Sequence, residues 1–407
     1  MQRFFSGNTQ PFKPMNYGRV QIIPDCSGLA CLAISCTKNS VISDKYSSEV
    51  GGITGGAYGG GQGGDSTLDA GKITAGEWND LENWGFWEGL LAKPDFEKYP
   101  AYWGFDNSAR ISVLVKNEQG YVLIDEPVQL LGAGAIVLAE TRTDNRGKAE
   151  LFPNLSGLYN GQNWGSLVLK INQQSFSSLK KYSDGTNELV INKQGVTPTV
   201  ADIAFIVDAT SSMADEISYL KTELDDVIKR VQSKYAALTV NTAAVFYRDE
   251  GDAYLTKSQP FSNNFQPVLN FIRDQQADGG GDFPEALHSA LKASINNLNW
   301  SPNARARILF LVLDAPPHYE PGILDELHNY ITIAAKKGIK IIPVTASGID
   351  KETEFLMRQF SISTNSTYMF ITNHSGIGNE HIEASVGQYD VEYLNNLMVR
   401  LIGKYLQ

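Results

Sequence analysis

The pattern of apolar and polar positions changes character twice along the chain. From residue 199 onward, short apolar runs alternate with stretches of helical spacing. Runs at 203–207, 240–247, 307–313, 339–344 and 367–371 read as strands, and 253–257 as an edge ribbon. Ile308-Leu-Phe-Leu-Val-Leu313 is apolar on both faces, as a strand covered by helices on each side must be. Helices are predicted at 213–235, 265–275, 284–298, 323–337, 351–360 and 391–405. Regular strand–helix alternation predicts an α/β domain over 199–407, a Rossmann-like, doubly wound and mostly parallel sheet.

Upstream, residues 108–195 alternate with the period of half-buried strands, as in Ile111-Ser-Val113-Leu-Val115, and are broken by turn sequences such as Asp144-Asn-Arg-Gly147. They predict a small all-β sandwich. Residues 68–107 concentrate Trp78, Trp84, Phe86, Trp87, Tyr99, Tyr102 and Trp103. Thr74 with Glu77 three residues on has the form of a capping box, and Leu81, Trp84, Trp87 and Leu90 follow at helical spacing, so this linker is expected to be helical from Thr74. Its aromatic cluster could form a carbohydrate platform, but packing is favoured, because large aromatics carry much of a core's burial energy. The glycine-dominated stretch 51–64 cannot bury enough apolar surface to order itself and reads as a flexible tether at the end of an N-terminal arm, 1–67.

A chain of 407 residues exceeds one ordinary core, which agrees with this division into domains. The formal net charge of −11 argues against nucleic acid as a partner, since phosphates would be repelled. Cys26, Cys31 and Cys36 are the only cysteines and all lie in the arm, so none staples the later domains. The run from Cys26 to Cys36, with Ala33-Ile34-Ser35 before Cys36, resembles a bacterial lipoprotein signal. That resemblance implies a lipid anchor at Cys36 as the sole membrane attachment, and a place in the bacterial cell envelope, at the outer membrane or cell surface.

In an open parallel sheet, ligands sit beyond the carboxyl ends of the strands. Three loops there carry suitable groups: Asp208-Ala-Thr210-Ser-Ser212, Asp278-Gly-Gly-Gly-Asp282-Phe-Pro-Glu285, and Asp314-Ala-Pro-Pro-His318. Oxygen donors, several of them neutral, suit Mg²⁺ best, and also Mn²⁺ or Ca²⁺, rather than zinc. D-x-T-x-S after a first apolar strand, in this order of elements, resembles the metal-ion-dependent adhesion site of von Willebrand factor A (VWA) domains. Carried over by position, the resemblance implies a divalent cation held by Asp208, Thr210, Ser212 and Asp314. Asp282 is also assigned to the metal, in a loop where the family usually has a threonine. Tyr247-Arg248-Asp249 and Asp314-Ala315-Pro316 resemble motifs of one branch of the family. Asp249 and Glu285 are secondary candidates. Asp249-Glu250-Gly251-Asp252 reads as a solvated turn rather than a second cation site, and His288 and His318 as packing or surface histidines. Residues 108–195 in turn resemble the prealbumin-like or carboxypeptidase-regulatory-like repeats, which usually serve as spacers.

The function these resemblances imply is metal-dependent binding of a protein partner, of adhesion or scaffold type and without catalysis, through an acidic side chain of that partner. Two other classes compete. One is a metal-assisted hydrolase using Asp208, Asp282 and Asp314, with Glu285 or His318 moving the proton. The other is a structural surface module whose cation only stiffens the loop edge.

Overall fold

The computed structural model of the chain describes residues 69–159, 161, 163–378 and 381–407. The three cysteines and the glycine-rich stretch 51–64 lie outside them, so neither the proposed anchor nor the tether has a structural counterpart here.

The first described element is a strand, not the helix start expected at Thr74. β1 (Thr74–Trp78) precedes helices α1 (Trp84–Leu91) and α2 (Tyr99–Trp103). Next come β2 (Ile111–Asn117), β3 (Pro127–Leu131), β4 (Val137–Arg142), β5 (Lys148–Leu151), β6 (Val168–Ile171), β7 (Gln174–Phe176) and β8 (Asn187–Ile191). They form two small sheets, ordered β5-β2-β8 and β4-β3-β6-β7. Both contribute to one core, with Ile111, Val113 and Val115 from the first and Val128, Leu130, Leu169 and Ile171 from the second.

The last part of the chain runs β9 (Val200–Asp208), α3 (Ala214–Lys234), β10 (Thr239–Tyr247), β11 (Thr256–Ser262), α4 (Gln266–Arg273), α5 (Leu287–Leu291) and β12 (Ala306–Leu313). It continues with α6 (Pro321–Lys337), β13 (Ile339–Thr345), α7 (Lys351–Ser363), β14 (Tyr368–Ile371), β15 (Glu392–Tyr393) and α8 (Leu394–Leu406). The main sheet has eight strands in the order β11-β10-β9-β12-β13-β14-β1-β15. Strands β10 to β14 in that order are parallel, while β11, β1 and β15 pair antiparallel. Helices cover both faces, with α3, α4 and α8 over one core and α1, α2, α5, α6 and α7 over the other.

Two sequence features explain why residues 69–105 join this sheet. Gly76 opposes Phe370 in the β1–β14 register, and a Cβ on it would come within 2.6 Å of the Phe370 ring and 2.7 Å of Tyr389. Only glycine admits that approach, so the strand outcompetes the capping-box helix. The second feature is Asp80, whose carboxylate accepts a bidentate pair of bonds from Arg358 of α7, at 2.9 and 2.6 Å, with both side chains fully buried. The aromatic cluster is indeed packing: Trp84, Trp87, Tyr99 and Trp103 lie in the core against Phe355 and its neighbours.

The β2–β8 region docks at the opposite end of the sheet from the candidate loops. Arg307, at the amino end of β12, donates to both oxygens of Asp125 at 2.7 and 2.9 Å, and Arg142 donates to Asp125 as well. Asn145 donates to the carbonyls of Lys404 and Gln407 at the end of α8. The carboxyl ends of β9 and β12 are left clear.

Removing one member of a buried pair leaves the other charged and desolvated. Asp80→Ala should therefore lower the stability of the folded chain by roughly 3 kcal/mol in urea unfolding. An unchanged midpoint would mean that residues 69–105 are not an integral part of the sheet.

Candidate metal centre

Parallel register builds the site. β9 pairs with β10 so that Asp208 lies beside Tyr247, and β12 runs on the other side of β9, bringing Asp314 just past its end. Asp208 and Thr210 are fully buried. Thr210 donates twice to Asp208 Oδ1, from its backbone N–H at 2.9 Å and its hydroxyl at 2.7 Å. The Ser212 hydroxyl lies 3.1 Å from that of Thr210, and on its other side faces Asp314. Four of the expected residues thus meet at one point.

The second loop is laid directly on the first. Asp278 donates its N–H to the Ala209 carbonyl at 3.0 Å, and Ser211 donates to the Gly279 carbonyl at 3.1 Å. Gly280 has φ +73°, and a Cβ there would stand 2.9 Å from Glu285 Oε1 and 3.1 Å from Thr210 Cβ. Glycine is required both by the left-handed backbone and by this contact. The helix expected from Pro284 begins only at Leu287. Glu285 is diverted from it: its N–H donates to the Pro316 carbonyl at 2.9 Å, and it forms an isolated parallel bridge with Pro317. This pins Glu285 to the third loop and turns its carboxyl inward, only 3% exposed.

Asp282, by contrast, is exposed, and its carboxylate makes no hydrogen bond or ion pair among the described residues. Nor do Asp208, Asp282 and Asp314 form a three-carboxylate cage. Among the described residues no group of three or more His, Cys, Asp and Glu side chains is arranged to hold a metal by itself. Any ion at this edge must share its shell with the hydroxyls of Thr210 and Ser212.

The turn read as solvated is instead part of the scaffold. Asp252 accepts from the N–H groups of Asp249 and Gly280, at 3.1 and 2.9 Å, and so ties this turn to the glycine loop. Asp249 is buried and pairs with His318, whose Nε2 is 2.6 Å from Asp249 Oδ1. Arg248 pairs with Asp278 at 3.2 Å, donates to the Gln276 carbonyl and lies over the Tyr254 ring. His288 is buried, with Nδ1 unpartnered and its basicity reduced by burial.

The electrostatics follow from burial without compensation. Asp208 Oδ2, Glu285 Oε2 and Asp314 Oδ1 are buried with no hydrogen-bond partner. Burial, reinforced by Asp249, raises the Asp208 carboxyl to about 6, against the bonds from Thr210. Burial and the charge of Asp208 raise Asp314 to about 7. Burial and the charges of Asp208 and Asp249 raise Glu285 to about 9. Tyr247 faces Asp208 without a well-formed hydrogen bond, and its phenol is pushed well above its ordinary value by burial and that charge. In the sequence Tyr247 stands out only as part of the Tyr247-Arg248-Asp249 motif, and it is the β9–β10 register that places it beside Asp208.

Comparison with known proteins agrees with this geometry. Residues 202–381 match the family model of the von Willebrand factor A domain. A mimivirus (Acanthamoeba polyphaga mimivirus) protein named for an ariadne-like RING finger is 32% identical over 132 residues, covering 32% of this chain and 13% of its own length. An alpha-protein kinase of Dictyostelium discoideum is 29% identical over 118 residues, covering 29% of this chain and 19% of its own length. The chain therefore spans less than a fifth of either relative. With the sheet order, the helices on both faces and the loops at the carboxyl ends of β9 and β12, this match makes residues 202–381 a von Willebrand factor A domain.

Proposed function

We propose that the domain holds a divalent cation at the carboxyl edge of its sheet and uses that face to bind a protein partner. The observation that carries the reading is the group of buried carboxyl oxygens without partners on Asp208, Glu285 and Asp314, with a further one on Glu216, whose charge acts on Asp314. Unpaired buried charge is costly, and a cation among these groups would relieve it. Asp208 and Asp314 would supply carboxylate oxygen, and Thr210 and Ser212 hydroxyl oxygen. Hard oxygen donors suit Mg²⁺ first, with Mn²⁺ and Ca²⁺ accepted by the same chemistry. Asp282, at the surface, enters this reading only through an intervening water.

Recognition is favoured because VWA domains are commonly involved in protein binding and adhesion. The rim supports it: Leu255, Phe283 and Tyr319, one on each loop flanking the site, are 39%, 46% and 45% exposed. Apolar side chains grouped around a polar centre suit a protein partner. The second part of the proposal is the envelope setting with a lipid anchor at Cys36, which rests on the sequence pattern of the N-terminal arm alone.

Mg²⁺ or Mn²⁺ in large excess over its Kd should raise the Tm of the wild-type protein by roughly 5 °C or more, and Asp208→Ala should abolish the shift. No shift in either protein would remove the cation reading, and capture of a partner unaffected by EDTA would remove its role in binding.

The raised carboxyls also set a pH dependence. In EDTA the folded chain retains protons on Asp208, Asp314 and Glu285 that the unfolded chain has released. Stability should fall as pH rises from about 4 to about 9 and should fall less in saturating Mg²⁺. Thermal unfolding in EDTA that gains stability across this window would contradict these environments. For the anchor, Cys36→Ser or globomycin should move the protein out of the membrane fraction, and unchanged fractionation would exclude it.

A further inference from the structure

Several carboxylates surround the candidate site, and all but one of those beyond Asp208 and Asp314 are engaged elsewhere or exposed. Asp249 is held by His318 at 2.6 Å. Glu216 likewise has Oε2 unpartnered, but its Oε1 accepts the Ser347 N–H at 3.0 Å and lies 3.4 Å from His381 Nε2. Asp252 accepts the N–H groups of Asp249 and Gly280, and Asp282 is exposed. Glu285 remains. Its carboxyl is more than nine-tenths buried, lies against Thr210 and Gly280, and has Oε2 unpartnered. Among the described residues no basic side chain pairs with it, since Arg248 is turned to Asp278 and Tyr254, and His318 to Asp249. Its backbone is fixed to Pro316, so the carboxyl does not swing in from a free loop.

Resting on the cation reading above, we propose that Glu285 is an internal ligand of the cation, completing its shell from within the domain in place of a partner's carboxylate. Asp208 and Asp314 alone would neutralise a divalent ion. A third carboxylate leaves the centre net negative, which strengthens ion retention and removes the pull on an acidic side chain from outside. Among the described residues the carboxyl groups do not form a ready-made chelate in the ion-free arrangement. The partner is then read by the rim, Leu255, Phe283 and Tyr319, with the ion holding the loops in place rather than bridging the two proteins.

The test is a titration of the full chain with Mn²⁺, followed by the electron paramagnetic resonance signal of the free ion. Wild type, Asp208→Ala, Glu285→Gln and Glu285→Thr are compared, each with and without acetate. Glu285→Gln keeps the side-chain shape and replaces a buried carboxyl with a neutral amide, so it should fold, with circular dichroism as the control. Mutating mere neighbours of metal ligands typically costs about 10–100-fold in affinity, so losing Glu285 should weaken Mn²⁺ binding at least about tenfold. Acetate should leave wild type unchanged and partly restore Glu285→Thr, in which the position is vacated. Mn²⁺ affinity in Glu285→Gln equal to wild type, or acetate tightening the wild-type site, would overturn the proposal while leaving the cation reading intact. Absence of Mn²⁺ binding by wild type itself would overturn both.

Discussion

Asp208 and Asp314 stand at the ends of neighbouring parallel strands, nearly excluded from water, and the protein alone does not neutralise them. Strand register makes their approach unavoidable: once β9 and β12 pair, the two carboxyls must share a small volume. Much else at this edge can be understood as holding that volume open. Thr210 satisfies one oxygen of Asp208, the glycine loop crosses closely enough for Asp278 and Ser211 to lock it to the first loop, and Asp252 fastens it from the other side. Among the described residues, Asp208 Oδ2 and Asp314 Oδ1 are left without a hydrogen-bond partner.

The rest of the molecule buttresses this edge without covering it. The β2–β8 region holds the amino end of β12 through the Asp125–Arg307 pair and the end of α8 through Asn145. The segment 69–105 adds β1 beyond β14 and covers α7 through the buried Asp80–Arg358 pair. From that side α2 reaches the third loop, where Tyr102 stacks on Tyr319 with ring centroids 3.9 Å apart and accepts a bond from its hydroxyl. A stretch upstream of the VWA match therefore touches the loop that follows Asp314.

Much of this architecture was legible in the sequence, and the exceptions have physical causes. Apolar runs such as 307–313 announced parallel strands because burial on both faces leaves no other composition. The D-x-T-x-S loop and Asp314 were legible because a strand end fixes where such residues point. Thr74 misled, since its capping-box spacing is a local signal, whereas the strand depends on Gly76 meeting Phe370, almost three hundred residues away. Pro284 misled in the same way. A helix was expected to start there, but the Pro316 carbonyl captures the Glu285 N–H and delays it to Leu287. That one long-range bond explains why Glu285, ranked second from sequence, lies inside while Asp282 is outside.

The proposed cation would sit among Asp208, Thr210, Ser212 and Asp314. The most direct measurement is anomalous diffraction from crystals grown with Mn²⁺, recorded at wavelengths on either side of the manganese edge. One strong peak bounded by oxygens of those four residues is expected. Ordered loops with no anomalous peak at that position would contradict it.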